Sequence, residues 1–282
     1  MDINIILTYG FLLSSVLSLW APFKLFNKIP LWLLFLAISF SLAIAFKKAS
    51  FISLAYTLFF GYSVYYYYKK KNIILSFLVL ALSVPLVLHF SFLDFNNYRY
   101  LHNIHITNNA TPFSLYFNLD KTVVGIFIIA FSFNYKKIAL LSIFKLLIIN
   151  LVLMGLIFFV LATVLGYSKF EPKLPYFTPV WILVNLFFTC MAEEALFRRL
   201  IQQKIHESLS GKYASAISIF IAAAIFGLAH FKGGAIYIAL ATLAGLFYGF
   251  IYYKSKRIES AILLHFSFNL IHLLLFTYPT LK

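Results

Sequence analysis

Residues 187–203 read "FFTCMAEEALFRRLIQQ", and how this stretch is understood decides the fold. Two adjacent carboxylates, Glu193 and Glu194, lie inside an apolar run that extends from 176 to 200. The chain has only 8 Asp and Glu in 282 residues, so placing two of them here calls for a physical reason. Each ionisable group at membrane depth costs about 2.5–3.5 kcal/mol even on the lenient insertion scale. On a helix, Glu194 and Arg198 are four residues apart and face each other, so they can neutralise one another. Glu193 points about 100° away and has no partner within its own helix. A carboxylate so placed in a low-dielectric site suits general acid–base work. The competing structural explanation is a pair snorkelling to the headgroups, with Arg198, Arg199 and Lys204 marking the helix exit.

The rest of the chain decides that the run is a membrane helix. Hydrophobic residues make up 63% and charged residues 11%, whereas soluble domains carry about a quarter charged. A spanning helix needs about 20 apolar residues. Runs meeting or approaching that length are 3–23, 29–46, 50–68, 73–93, 122–134, 138–167, 176–200, 213–231, 234–253 and 258–278. They predict an all-α, polytopic transmembrane helical bundle of about ten spans, or eight to ten, since 122–134 is short enough to be re-entrant or interfacial. Residues 1–137 read as an aromatic-rich, chemically silent set of accessory helices, and 138–282 as the half that carries the intramembrane polar groups. The one long polar connection, 94–121, holds His102 and His105; with no third ligand nearby it is expected to be a hydrated loop and not a metal site.

The net charge of +15 comes from short basic clusters between apolar runs, such as Lys69 to Lys71 and Lys254 to Arg257. Such clusters are the mark of helix ends under the positive-inside rule and form no continuous face for nucleic acid, so none is expected as a partner. Counting Lys and Arg in alternate loops favours an outside N-terminus and leaves Lys145 within a span, snorkelling or bracing an acid. The lone Cys190 allows no internal disulfide and reads as packing. The first run lacks a basic n-region and cleavage site, so it is expected to be a retained span, and a multi-pass protein of the bacterial inner membrane is the expected localisation.

Two further stretches join the Glu pair. "FGLAHF" places His230 four residues after Phe226, and "HFSFNLIH" places His265 and Asn269 on one helical face, with His272 a turn beyond in a packing role. A carboxylate and a histidine can hold and deprotonate a water, and a second histidine with an amide can stabilise the resulting oxyanion. That is the equipment for hydrolysing a peptide bond without a covalent nucleophile. Counted from Gly211, a natural turn, Glu193 and His230 both lie about 27–29 Å away, at one level. His265 lies about 13 Å from the "KSKR" turn and His230 about 5 Å from the Gly233–Gly234 turn, so that turn must dip or the ninth span tilt. Ala241, Gly245 and Gly249 form a small-residue stripe that permits close, angled helix contact.

Together, Glu193-Glu194-xxx-Arg198, Phe226-xxx-His230 and His265-xxx-Asn269 resemble the motifs of the CPBP family, the CAAX-protease and bacteriocin-processing intramembrane peptidases. The resemblance covers about 176–276. It implies a glutamate-dependent endopeptidase that cleaves a membrane-tethered protein or peptide near its anchored end: a CAAX-type tail, a sorting signal or a bacteriocin-like peptide. Glu193 and His230 would activate water, His265 and Asn269 would bind the oxyanion, and Glu194, Arg198 and Phe226 would support them. No cofactor is expected; zinc held by Glu193, His230 and His265 is the alternative. Arg199 departs from the small residue common at its position, and its bulk bears on how substrate approaches. Two other classes stay open: a non-enzymatic immunity or scaffold protein on the same fold, and a transporter using Glu193, His230 and His265 as a proton relay.

Overall fold

The computed structural model describes residues 2–21, 23–26, 28–132 and 140–282. Each of the ten apolar runs becomes a helix: α1 (Ile3–Ser18), α2 (Leu31–Ala45), α3 (Phe51–Lys70), α4 (Ile73–Val87), α5 (Leu119–Ser132), α6 (Leu140–Val164), α7 (Thr178–Ser208), α8 (Ala214–Ala229), α9 (Gly234–Ser255) and α10 (Ile258–Leu275). Residues Lys24–Leu25 (β1) and Ile29–Pro30 (β2) pair antiparallel, and Tyr98–Ile104 (β3) and Phe113–Phe117 (β4) form a second two-stranded sheet. The protein is a helical membrane bundle. Among the described residues, four stretches are long and apolar enough to cross a bilayer by themselves: Ile143–Val164, Thr178–Ser208, Phe231–Ser255 and Ile258–Leu275. Four more apolar helices, α1, α2, α4 and α8, have 15 or 16 residues, about 22–24 Å of helix, so they fall short of the full hydrocarbon core.

The chain forms two compact units, and the division drawn at 137/138 lies outside the described residues. One unit comprises Met1–Tyr100, Tyr116–Phe133 and Phe187–Ala192. Its axis is α5, the short run of doubtful standing, and burial explains the shortness. Thr122 to Ile129 are buried without a break, so protein and not lipid surrounds this helix. Phe127 meets Trp32 and Phe60 edge-on at 6.0 and 6.1 Å. Gly125 leaves room for the chain at Met191–Ala192, since a Cβ there would stand 2.7 Å from the Ala192 Cα. This half is not chemically silent. Asp120 is buried at the start of α5, where the helix dipole favours an anion. Its carboxylate takes Asn97 Nδ2 at 2.9 Å, the Lys121 N–H at 2.8 Å and His89 Nδ1 at 2.8 Å, and Asn97 in turn accepts the Leu119 N–H.

The other unit comprises Leu101–Leu115, Asn134–Leu186 and Glu193–Lys282. Its α6 leaves Phe144, Ile148, Val152, Leu156 and Val160 exposed, an apolar face that lipid would cover, and Lys145 is exposed beside it, as snorkelling requires. The polar connection 94–121 contains a hairpin: Tyr, Ile and Phe favour strand, and in β4 the buried Leu115 and Phe117 alternate with the exposed Tyr116. His105 Nδ1 donates to the Ala110 carbonyl at 2.8 Å across the turn, and His102 is exposed. The last residues run between this turn and the α6–α7 connection, with isolated bridges at Ala110–Leu281 and Phe170–Phe276. Thr277 and Leu281 donate to the Lys169 and Tyr167 carbonyls, while Lys282 donates to Asn109 and Thr111 donates to Thr280. Gly211, at φ +98°, makes the turn between α7 and α8.

Candidate active site

The site's residues lie on α7 to α10, in the parts of those helices that belong to the second unit. Helix α7 is not uniform: Val184–Cys190 and Ala195–Gln202 are π-helical, and Met191–Glu194 between them is α-helical. π-Helical turns are rare and concentrate where side chains must be re-aimed for function. Here they flank the Glu pair. Arg198 Nε donates to Glu194 Oε2 at 2.9 Å, as the spacing predicts, but both side chains are wholly buried, so the pair does not snorkel.

The other oxygen of Glu194 explains the burial. Glu194 Oε1 lies 2.8 Å from Nδ1 of His265, which is 71 residues away on α10. A carboxylate oxygen accepts, so the contact places a proton on His265 Nδ1. The opposite nitrogen, Nε2, lies 3.8 Å from Glu193 Oε2, beyond direct hydrogen-bond range. Glu193 and His265 are 7% and 5% exposed, so the acid and the imidazole face each other in the protein interior.

Phe226 joins the two histidines. Its ring is 4.6 Å from that of His230 and 5.8 Å from that of His265, and the Arg198 guanidinium lies 5.5 Å from it. Among the described residues Arg198 Nη2 has no hydrogen-bond partner, and the aromatic faces of Phe226 and Tyr248 lie against the guanidinium. His230 is not inside its helix but at its C-cap, followed by a single 3₁₀ turn, Phe231–Gly233, and by Gly234 at φ +81°. Its Nδ1 donates to the Phe226 carbonyl at 2.7 Å, which leaves the Nε2 lone pair of the neutral ring as an acceptor. Tyr237 stands edge-on to His230 at 5.4 Å. Asn269 Nδ2 donates to Asn185 Oδ1 at 3.3 Å. His272 is turned to the Thr277 carbonyl and Tyr278, which fits its packing role.

The small-residue stripe brings α9 in. A Cβ on Gly245 would stand 3.0 Å from the Ala223 Cα, and one on Gly249 would stand 2.8 Å from Gln202 Oε1. Gln202 Nε2 donates to the Gly249 carbonyl at 3.0 Å. This approach lays Tyr248 flat on His265, with centroids 4.4 Å apart at 16°. Arg199 points elsewhere, to Gln203 and the Tyr252 hydroxyl, so its bulk holds α7 to α9.

Sequence reasoning missed Asn185, Gln202, Tyr237 and Tyr248. Asn185 and Gln202 carried a signal, as amides interrupting an apolar helix; the two tyrosines carried none. For zinc, the donors do not fit: among the described residues no three His, Cys, Asp or Glu side chains are placed to hold a metal ion. No curated protein and no solved structure matches the chain. Residues 175–271, which contain all three motifs, match a family model, that of the type II CAAX prenyl endopeptidase Rce1-like family.

Proposed function

We propose that this site hydrolyses a peptide bond within the membrane, near the anchored or C-terminal segment of a protein or peptide substrate. A CAAX-type tail, a sorting signal and a bacteriocin-like peptide each present that chemistry, and the bilayer proposed is the bacterial inner membrane. The observation that carries the reading is His265 held between two buried carboxylates, Glu194 on Nδ1 and Glu193 facing Nε2, with Arg198 on Glu194.

Glu193 and the Nε2 lone pair of His230 take up the two hydrogens of a water, and Glu193 accepts its proton as the oxygen attacks the scissile carbonyl. The carbonyl π electrons move to oxygen, and that oxyanion is met by His265 Nε2–H and Asn269 Nδ2–H. With Nδ1 already donating to Glu194, His265 can donate from Nε2 only as imidazolium. The charges then balance: Glu193 and Glu194 negative, Arg198 and His265 positive. As the carbon–nitrogen bond breaks, the proton on Glu193 passes to the leaving amine, which restores the carboxylate. Glu194 keeps the imidazole in place and, with Arg198, makes the buried charge tolerable.

The test is cleavage of a quenched-fluorescence peptide ending in a farnesylated CAAX sequence by purified protein in nanodiscs. Glu193→Gln and His230→Asn are each expected to lower kcat by about 10²–10⁴-fold. Wild-type cleavage by either variant would refute the mechanism.

A further inference from the structure

We propose that Tyr248 is a positioning residue for His265, fixing the plane of the imidazole so that Nε2 is held toward the reacting carbonyl. The proposal rests on the proteolytic reading for its consequence in catalysis but on geometry alone for the positioning. A hydrogen bond from Nδ1 to Glu194 fixes one atom of the ring, and the ring can still swing about that bond, because the outer torsion of histidine is broad. A second constraint is needed, and the Tyr248 ring supplies it: 4.4 Å away, nearly parallel, and only 1% exposed. Phe226 closes the remaining side edge-on at 83°. The electron-rich face of tyrosine also favours a cationic ring above it, in keeping with an imidazolium donor.

The position of Tyr248 is itself over-determined. On one side Gly245 admits Ala223; on the other the Gly249 carbonyl takes Gln202 Nε2, one turn beyond Arg198. Tyr248 is therefore held between two close helix contacts. Charged or titratable neighbours of His265 come from α7 as Glu193, Glu194 and Arg198, and from α9 as Tyr248 itself. His230, at the end of α8, reaches it through Phe226. Helix α6, packed against α10, has among its described residues only the exposed Lys145, and α10 adds Glu259 and His272.

The experiment compares Tyr248→Phe and Tyr248→Leu in nanodiscs with the same peptide, and Tyr248→Met replaces the leucine variant if that one fails to fold. Phenylalanine keeps the stack and is expected to hold kcat within about threefold. Leucine frees the ring and is expected to lower kcat on the order of 10²-fold, the effect of misplacing a reacting group by about 1 Å, with KM unchanged. A readout that needs no substrate accompanies it: ¹⁵N spectra of histidine-labelled protein. His265 is expected to show one fixed ring, protonated at both nitrogens, in wild type and Tyr248→Phe, and an averaged one in Tyr248→Leu. A leucine variant with wild-type kcat and a fixed ring overturns the proposal, as does an equal loss in both variants. If wild type cleaves nothing, the proteolytic reading fails and the ¹⁵N comparison alone decides whether Tyr248 positions His265.

Discussion

Replacing Arg198 by methionine removes one side of an ion pair whose two side chains are both fully buried. Methionine keeps an unbranched stem of similar length and loses the guanidinium that lies by Phe226 and Tyr248, so the loss is chiefly electrostatic. Breaking a buried pair by deleting one partner costs about 3–5 kcal/mol, because the other charge is left in a low-dielectric interior. Glu194 retains His265 Nδ1 at 2.8 Å, which offsets part of that penalty. The expected loss is therefore near the low end, about 3 kcal/mol. Adding Glu194→Gln removes the stranded charge while Oε1 of the amide still accepts from His265. The double variant is expected to regain about 1.5 kcal/mol or more over Arg198→Met alone, a coupling of the size found between residues in one network. Equilibrium unfolding in mixed micelles, followed by tryptophan fluorescence, measures wild type and both variants. If the double variant is no more stable than the single, Glu194 is not a buried charge held by Arg198, and the electrostatic account of the site falls.

Two further expectations follow from contacts away from that pair. Asn185→Leu removes the acceptor of Asn269 Nδ2 and is expected to lower kcat about tenfold with KM unchanged, on the peptide assay above, as for a loosened oxyanion donor; an unaltered kcat would remove Asn185 from the site. At Glu171, burial acts to raise the carboxyl, but hydrogen bonds from Thr107, Asn109 and Thr277 and the charge of Lys169 outweigh it and hold the group below its ordinary value. A depressed carboxylate contributes stability above its unfolded value, about 4.3, and loses it as pH falls through the folded one. Amide protection factors at Thr277 and Leu281 should therefore drop between pH 5 and pH 3, and Glu171→Gln should flatten the difference; equal slopes in both proteins would sink the linkage.

Helix positions were legible because an uninterrupted apolar run at bilayer length has few other structures open to it. The pairing of Glu194 with Arg198 was legible because i,i+4 spacing needs only the helix itself. The link from Glu194 to His265 was not, since it crosses 71 residues and depends on how α7 meets α10. The hairpin at 98–117 was read as loop because its polar content outweighed its strand-forming tyrosines and phenylalanines. His230 was placed within a helix because the glycines that end the helix come three residues later, as Gly233 and Gly234. Helix α5 read as a doubtful span because length alone does not tell a helix wrapped in protein from one lying at the membrane surface.

In a soluble protein hydrophobic periodicity tells which helix face is inward, but lipid and protein interior are equally apolar, and along α8, α9 and α10 that contrast is nearly absent. What breaks the symmetry is the small number of residues lipid cannot accept. Glu193, Glu194, Arg198, Gln202, His265 and Asn269 must face protein, and the faces they occupy on α7 and α10 are the faces that meet. The glycines do the same for α9: Gly245 and Gly249 mark the side that approaches α8 and α7, and Tyr248 lies between them. The polar residues of the site therefore carry two kinds of information at once. Removing the charged pair to improve stability would also erase part of what tells these helices which way to turn, so Glu194→Gln/Arg198→Met is expected to fold but to hold His265 less uniquely than wild type, as two sets of His265 ¹⁵N resonances would report.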